Sequence, residues 1–247
     1  MKSWSAVLGT IVGGCWLIMT ASSCSDSSTR SLVVVPPVTT TMTKAEQQAI
    51  TPDQALERLK AGNQRFTSGH VRAYDSLAQA EVAARGQYPF ATILSCVDSR
   101  STPETIFDLG VGDAFVPRIA GNIATPEIIG SMEFACKVAG AKIIVVIGHN
   151  ECGAVKGACD GVKMDNLTLV MADIDPAVAA TTAKGERNSR NKPFVQLVAT
   201  ENVRHNIDLI RARSPILSDM ESKGEIKIIG AMQDLESGTV TWLSKTK

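Results

Sequence analysis

Lys142-Ile143-Ile144-Val145-Val146-Ile147-Gly148-His149-Asn150-Glu151-Cys152-Gly153 is the stretch that decides the fold. Its first six residues form an almost unbroken β-branched apolar run. Such a run reads as a strand buried on both faces, which a parallel sheet covered by helices provides. A second run, Phe90-Ala91-Thr92-Ile93-Leu94, leads in the same way into Cys96-Val97-Asp98-Ser99-Arg100. Both polar segments therefore lie at the carboxyl ends of neighbouring parallel strands, where open α/β sheets place their sites.

Those two segments supply Cys96, His149 and Cys152. Two thiolates and one imidazole make a zinc ligand set with one coordination position left over, the pattern of a catalytic zinc. A structural zinc is normally closed by a fourth Cys or His, and none stands next to either segment. The competing structural reading is a disulfide between Cys96 and Cys152.

Working outward, Thr51-Pro52-Asp53 opens a helix that carries Leu56, Leu59 and Phe66 at helical spacing. A second helix is expected from Ser76 to Arg85. Thr102-Pro103-Glu104 caps a short helix ending at Gly110, and a strand follows at Ala114 to Pro117. Thr125-Pro126-Glu127 caps a helix running to Gly140. Cys152 opens another, helical character returns near Leu167 to Ile174, and a long helix is expected from Pro193 to Arg213. Ile226 to Met232 and Thr239 to Leu243 read as a closing hairpin. The expected fold is α/β: a mostly parallel central β-sheet flanked by helices on both faces, with an N-terminal helical arm and a terminal antiparallel strand.

The 25 basic residues balance the 25 acidic ones, which removes the electrostatic footprint of a nucleic-acid binder. Ahead of the domain, Trp4 to Met19 form an apolar stretch that ends in Thr20-Ala21-Ser22-Ser23-Cys24. This reads as a lipoprotein-type signal peptide over residues 1–24 with Cys24 as the lipid-bearing residue; an ordinary signal peptide or an uncleaved anchor helix are the alternatives. Residues 25–50, rich in Ser, Thr, Val and Pro at their start, are expected to be a flexible tether to a catalytic domain at 51–247. The domain would then work outside the cytoplasm, periplasmic or membrane-anchored, touching a membrane only through Cys24. Of the remaining cysteines, Cys136 sits in an apolar helical pattern and is expected in the core.

Cys-x-Asp-x-Arg and His-x-x-Cys-Gly, in that order and about fifty residues apart, together with Phe115 to Asn122 and Gly130 to Ala135, resemble the β-class carbonic anhydrases. The resemblance implies zinc-dependent reversible hydration of carbon dioxide to bicarbonate and a proton, with one Zn(2+) per subunit on Cys96, His149 and Cys152. It implies that Asp98 and Arg100 form a catalytic dyad beside the open position, and that Asp98 takes the fourth zinc position in a closed state. Gly153 would lie next to substrate, and Arg118 and Asn122 would support the site loop. Members assemble as dimers or tetramers, so a homo-oligomer is expected, with no nucleic-acid partner. Two other readings fit the same residues: a zinc hydrolase acting on carbonyl sulfide or carbon disulfide, and a non-catalytic zinc-binding domain.

Overall fold

The computed structural model describes residues 36–244. Five strands build one sheet: β1 (Ala91–Leu94), β2 (Ala114–Phe115), β3 (Ile143–His149), β4 (Lys227–Gln233) and β5 (Val240–Trp242). Their order is β2-β1-β3-β4-β5; the first four are mutually parallel and β5 runs antiparallel to β4. The mostly parallel sheet with one antiparallel terminal strand is thus as expected.

Every residue of β3 is buried, and the two-residue period of a strand explains how. Ile144 and Val146 join Leu94, Ile228 and Met232 in one apolar layer, with Phe194, Val198 and Val203. Ile143, Val145 and Ile147 join Ala91, Ile93 and Ala231 in the other, with Leu56, Leu59 and Phe107. At about 1.5–3 kcal/mol per fully buried aliphatic side chain, this one strand anchors both layers.

On the first face lie α5 (Pro126–Glu133), α6 (Gly153–Cys159), α7 (Leu167–Ala180), α8 (Lys192–Arg213) and α9 (Pro215–Ser222); α2 (Pro52–Thr67) and α4 (Pro103–Ile106) cover the second. Their starts are chemically marked. Thr51 and Gln54 form a capping box on α2, and the side chains of Thr125, Asn191 and Ser214 accept the first free N–H groups of α5, α8 and α9.

Four expectations need correction. Residues 36–50 are not a tether: α1 (Lys44–Ala49) has its own Thr43–Glu46 capping box, and buried Gln47 donates to the carbonyls of Pro89 (2.7 Å) and Ala139 (2.8 Å). The helix from Thr125 changes to a π turn at Phe134–Val138, and Gln47 satisfies the Ala139 carbonyl left over at its end. α7 runs through Pro176 to Ala180 because Met171, Ile174 and Ala177 are buried along one face, and that packing outweighs the proline. The helix after Pro103 stops at Ile106, four residues short of Gly110.

Strand order also places the site. From β1 the chain moves to β2 on one side; from β3 it moves to β4 on the other. The connections diverge at the carboxyl ends of β1 and β3, a topological switch point.

Candidate metal centre

Cys96 follows β1, His149 is the last residue of β3, and Cys152 is the N-cap residue of α6. All three are buried. One ring nitrogen of His149 and the two Sγ atoms lie within 4.8 Å of one another, the one such group of three His, Cys, Asp or Glu side chains among the described residues.

The two sulfurs are 4.0 Å apart. A disulfide needs about 2.05 Å, and both cysteines are free, so the disulfide reading falls. Two sulfurs each about 2.3 Å from a tetrahedral zinc would be about 3.8 Å apart. His149 fits the same purpose. Its Nδ1 lies 2.8 Å from the Asn150 carbonyl, so that nitrogen carries the proton and donates it. The other nitrogen, Nε2, is buried and makes no hydrogen bond to the protein, although, against the opposing effect of burial, the Cys96 sulfur raises the ring's pKa. Such an orphan is costly unless a ligand satisfies it.

Electrostatics point the same way. The hydrogen bond shared with Cys152 brings Cys96 down to about 4 against the opposing effect of burial; the His149 ring and the Gly121 N–H, 3.4 Å from that sulfur, add to the effect. Cys152 is pushed far up, first by that same hydrogen bond and then by burial. Two sulfurs this close share a hydrogen bond, and a divalent cation bound between them would take the place of their protons. The other buried thiols behave as core groups: burial alone pushes Cys136 up to about 12, as its place in an apolar helix predicts.

Asp98 overhangs this group, its Oδ2 4.0 Å from His149 Nε2. Arg100 grips the carboxylate from its backbone N–H (3.0 Å) and Nε (2.9 Å) on Oδ1 and from Nη2 (2.8 Å) on Oδ2. These bonds hold the Asp98 carboxyl well below the usual carboxylate range, against partial burial. Asp98 is not among the side chains whose ligand atoms gather within 4.8 Å of one another. Arg118 fixes the backbone beneath, donating from Nε to the Cys96 carbonyl (3.0 Å) and from Nη2 to the Asp98 carbonyl (2.7 Å). Asn122 is buried in the same loop, while Gly153 opens α6 with free space where a Cβ would point.

Other supporting residues carried no motif. Ser101 donates to Gln233 at the end of β4 (2.7 Å), and Asn150 donates to Asp234 (2.6 Å). On α8, Asn202 and Asn206 bind the backbone of the 121–124 loop. Two asparagines four apart on the apolar stripe of a long helix were the available signal.

A sequence profile described as carbonic anhydrase matches residues 91–240. Carbonic anhydrase 2 of Mycobacterium tuberculosis is 35% identical over 191 residues, 76% of this chain and 90% of that one. The solved β-carbonic anhydrase CcaA superposes with a TM-score of 0.58 at 25% identity, covering 78% of this chain and 92% of that one. The chain is a β-class carbonic anhydrase. As a carbonic anhydrase it is a carbonate dehydratase, catalysing the reversible hydration of carbon dioxide. The fold is also that of a tetrameric β-carbonic anhydrase from Sordaria macrospora, with a TM-score of 0.57 at 24% identity over 78% of this chain and 95% of that one.

Proposed function

We propose that this carbonic anhydrase works with one zinc ion held by Cys96, His149 and Cys152, with Asp98 and Arg100 as its catalytic dyad. The observation that carries this reading is the unpartnered Nε2 of His149, buried beside two sulfurs 4.0 Å apart. Zinc there would supply a Lewis acid that lowers the pKa of water from about 15.7 to about 7. The remaining work falls to the chain itself. Arg100 keeps Asp98 ionised, so the carboxylate can only accept hydrogen bonds. Standing over the ligand atoms, Asp98 accepts a hydrogen bond from the attacking water and so turns an oxygen lone pair toward carbon dioxide. Carbon dioxide gains that oxygen and leaves as bicarbonate; the proton goes to solvent. His149, its Nδ1–H committed to Asn150, keeps its lone pair aimed at the cation.

Cys96→Ser and His149→Ala test the ligand assignment. Each is expected to lose bound metal and carbon dioxide hydration together, and stoichiometric zinc in both variants would refute it. Carbonyl sulfide and carbon disulfide serve as competing substrates in the same assay.

Two further readings belong here. A homo-oligomer is supported by the exposed apolar side chains Phe134 (51%) and Val138 (73%) on the π turn; a monomer in sedimentation would contradict it. Export with a lipid on Cys24 is supported by the apolar stretch and small residues that precede it. That segment lies outside the described residues. Labelled palmitate that does not attach to the full-length precursor would remove the lipid.

A further inference from the structure

Cys96 receives a hydrogen bond that the ligand motif does not provide. The Gly121 N–H points at its sulfur from 3.4 Å, and this N–H belongs to a loop with an unusual backbone. Gly121 has φ +71° and Asn122 φ +44°. A Cβ on Gly121 would stand 2.6 Å from Ile174 Cδ1, so α7 presses on the loop from one side.

From the other side two side chains of α8 hold it by hydrogen bonds. Asn202 Nδ2 donates to the Gly121 carbonyl at 2.8 Å. Asn206 Oδ1 accepts the Ala124 N–H at 2.6 Å. The two asparagines are locked to each other, Asn206 Nδ2 donating to the Asn202 carbonyl (2.7 Å) and to its Oδ1 (3.1 Å). Both are buried within an otherwise apolar layer. Buried hydrogen bonds thus link Asn206 and Asn202 to the 121–124 loop, and the loop to the Cys96 sulfur, in a low-dielectric setting that strengthens each of them.

We propose that Asn202 and Asn206 are positioning residues for the Cys96 sulfur: they fix residues 121–124 so that the Gly121 N–H donates to it and limits the charge it gives a bound cation. This rests on the zinc reading above. A thiolate that accepts a hydrogen bond is a weaker donor, and a cation that receives less charge is the stronger Lewis acid. With two sulfurs in the ligand set, relief of donation at one of them favours water ionisation nearer neutral pH.

The test compares Asn202→Ser and Asn206→Ser with Asn63→Ser. Asn63 makes the same kind of clamp in the other core layer, holding Ile106, Gly238 and Val240 by backbone bonds of 2.9 to 3.0 Å far from the sulfurs. It controls for lost stability. Although a freed sulfur donates more strongly, zinc affinity by chelator competition at neutral pH is expected to fall about 10- to 100-fold in the two α8 variants, because the ligand loop is no longer held in place and the proton competes better for the sulfur. The sulfur-to-cobalt charge-transfer band of the cobalt-loaded protein should move to lower energy, and the midpoint of the hydration pH profile should rise. Asn63→Ser should melt earlier with all three unchanged. Unchanged affinity and band energy in the α8 variants, or equal shifts in Asn63→Ser, would overturn the proposal.

Should either α8 variant not fold, wild-type protein loaded with a magnetically active cadmium isotope decides. Spin coupling between the metal and the Gly121 amide proton supports the hydrogen bond, and its absence overturns it. A wild-type chain that binds neither zinc nor cobalt would overturn the zinc reading itself, a result separate from unchanged variants of a chain that binds both.

Discussion

Asp98→Asn separates a catalytic carboxylate from an ordinary ion pair, because the two roles predict different magnitudes. The substitution preserves shape, and an amide oxygen in place of Oδ1 still accepts the Arg100 N–H and Nε. The amide NH2 in place of Oδ2 meets Arg100 Nη2, formerly 2.8 Å away, as donor against donor. It also presents hydrogens where the attacking water requires an acceptor. The stability cost is small, since the Arg100 side chain is 57% exposed and such pairs contribute about 0–1 kcal/mol. The melting temperature should therefore fall by no more than about 4 °C. The rate cost is large: a positioned proton acceptor contributes about 10²- to 10⁴-fold, or about 2.7–5.4 kcal/mol of barrier at 1.36 kcal/mol per decade.

The pH dependence has a definite sign. The folded-state pKa of Asp98 is depressed, so its contribution to stability is full above the unfolded value of about 3.9 and drains as pH falls toward the folded one. The small stability gap between wild type and variant should be flat from pH 6 to 9 by design of the pair and close only in acid, below about 4. Stopped-flow hydration with a pH indicator, zinc analysis and thermal melts on both proteins make the comparison. Hydration within about threefold of wild type, or loss of zinc from Asp98→Asn, would refute the reasoning.

Gly121→Ala should destabilise the fold by about 2–5 kcal/mol, combining about 1–2 for an L-residue at positive φ with about 1–3 for overpacking against Ile174. Urea unfolding measures it, and a change under 0.5 kcal/mol would show that the loop yields freely. Gln47→Leu strips the buried carbonyls of Pro89 and Ala139 of their donor and should cost about 1–3 kcal/mol for each. An unchanged urea midpoint would mean that the two Gln47 hydrogen bonds contribute nothing to the fold.

The fold was legible where one physical rule dominated. Lys142 to Ile147 could only be a strand buried on both faces, and the threonine–proline pairs at 51–52 and 125–126 fixed two helix starts. The grouping of Cys96, His149 and Cys152 was legible because Cys96 and His149 stand at the ends of neighbouring buried strands and Cys152 opens the helix that follows. Features that depend on distant partners were not. Nothing near Gln47 announces that it will cap a helix end at Ala139, 92 residues away, so a Ser/Thr/Pro-rich lead-in read as a tether through residue 50. Helical character was read only from Leu167 to Ile174, and burial of Ala177 beyond it carries α7 through Pro176 to Ala180. Asn202 and Asn206 lie on an apolar stripe where local pattern says only that they are out of place; their purpose depends on a loop about eighty residues earlier.

The most direct test of the central claim is zinc-edge X-ray absorption on the purified wild-type protein. The account predicts one zinc per chain with two sulfurs at about 2.3 Å, one imidazole nitrogen at about 2.0–2.1 Å and one further light atom. A first shell without two sulfurs, or one closed by a second protein nitrogen or a third sulfur, would contradict it.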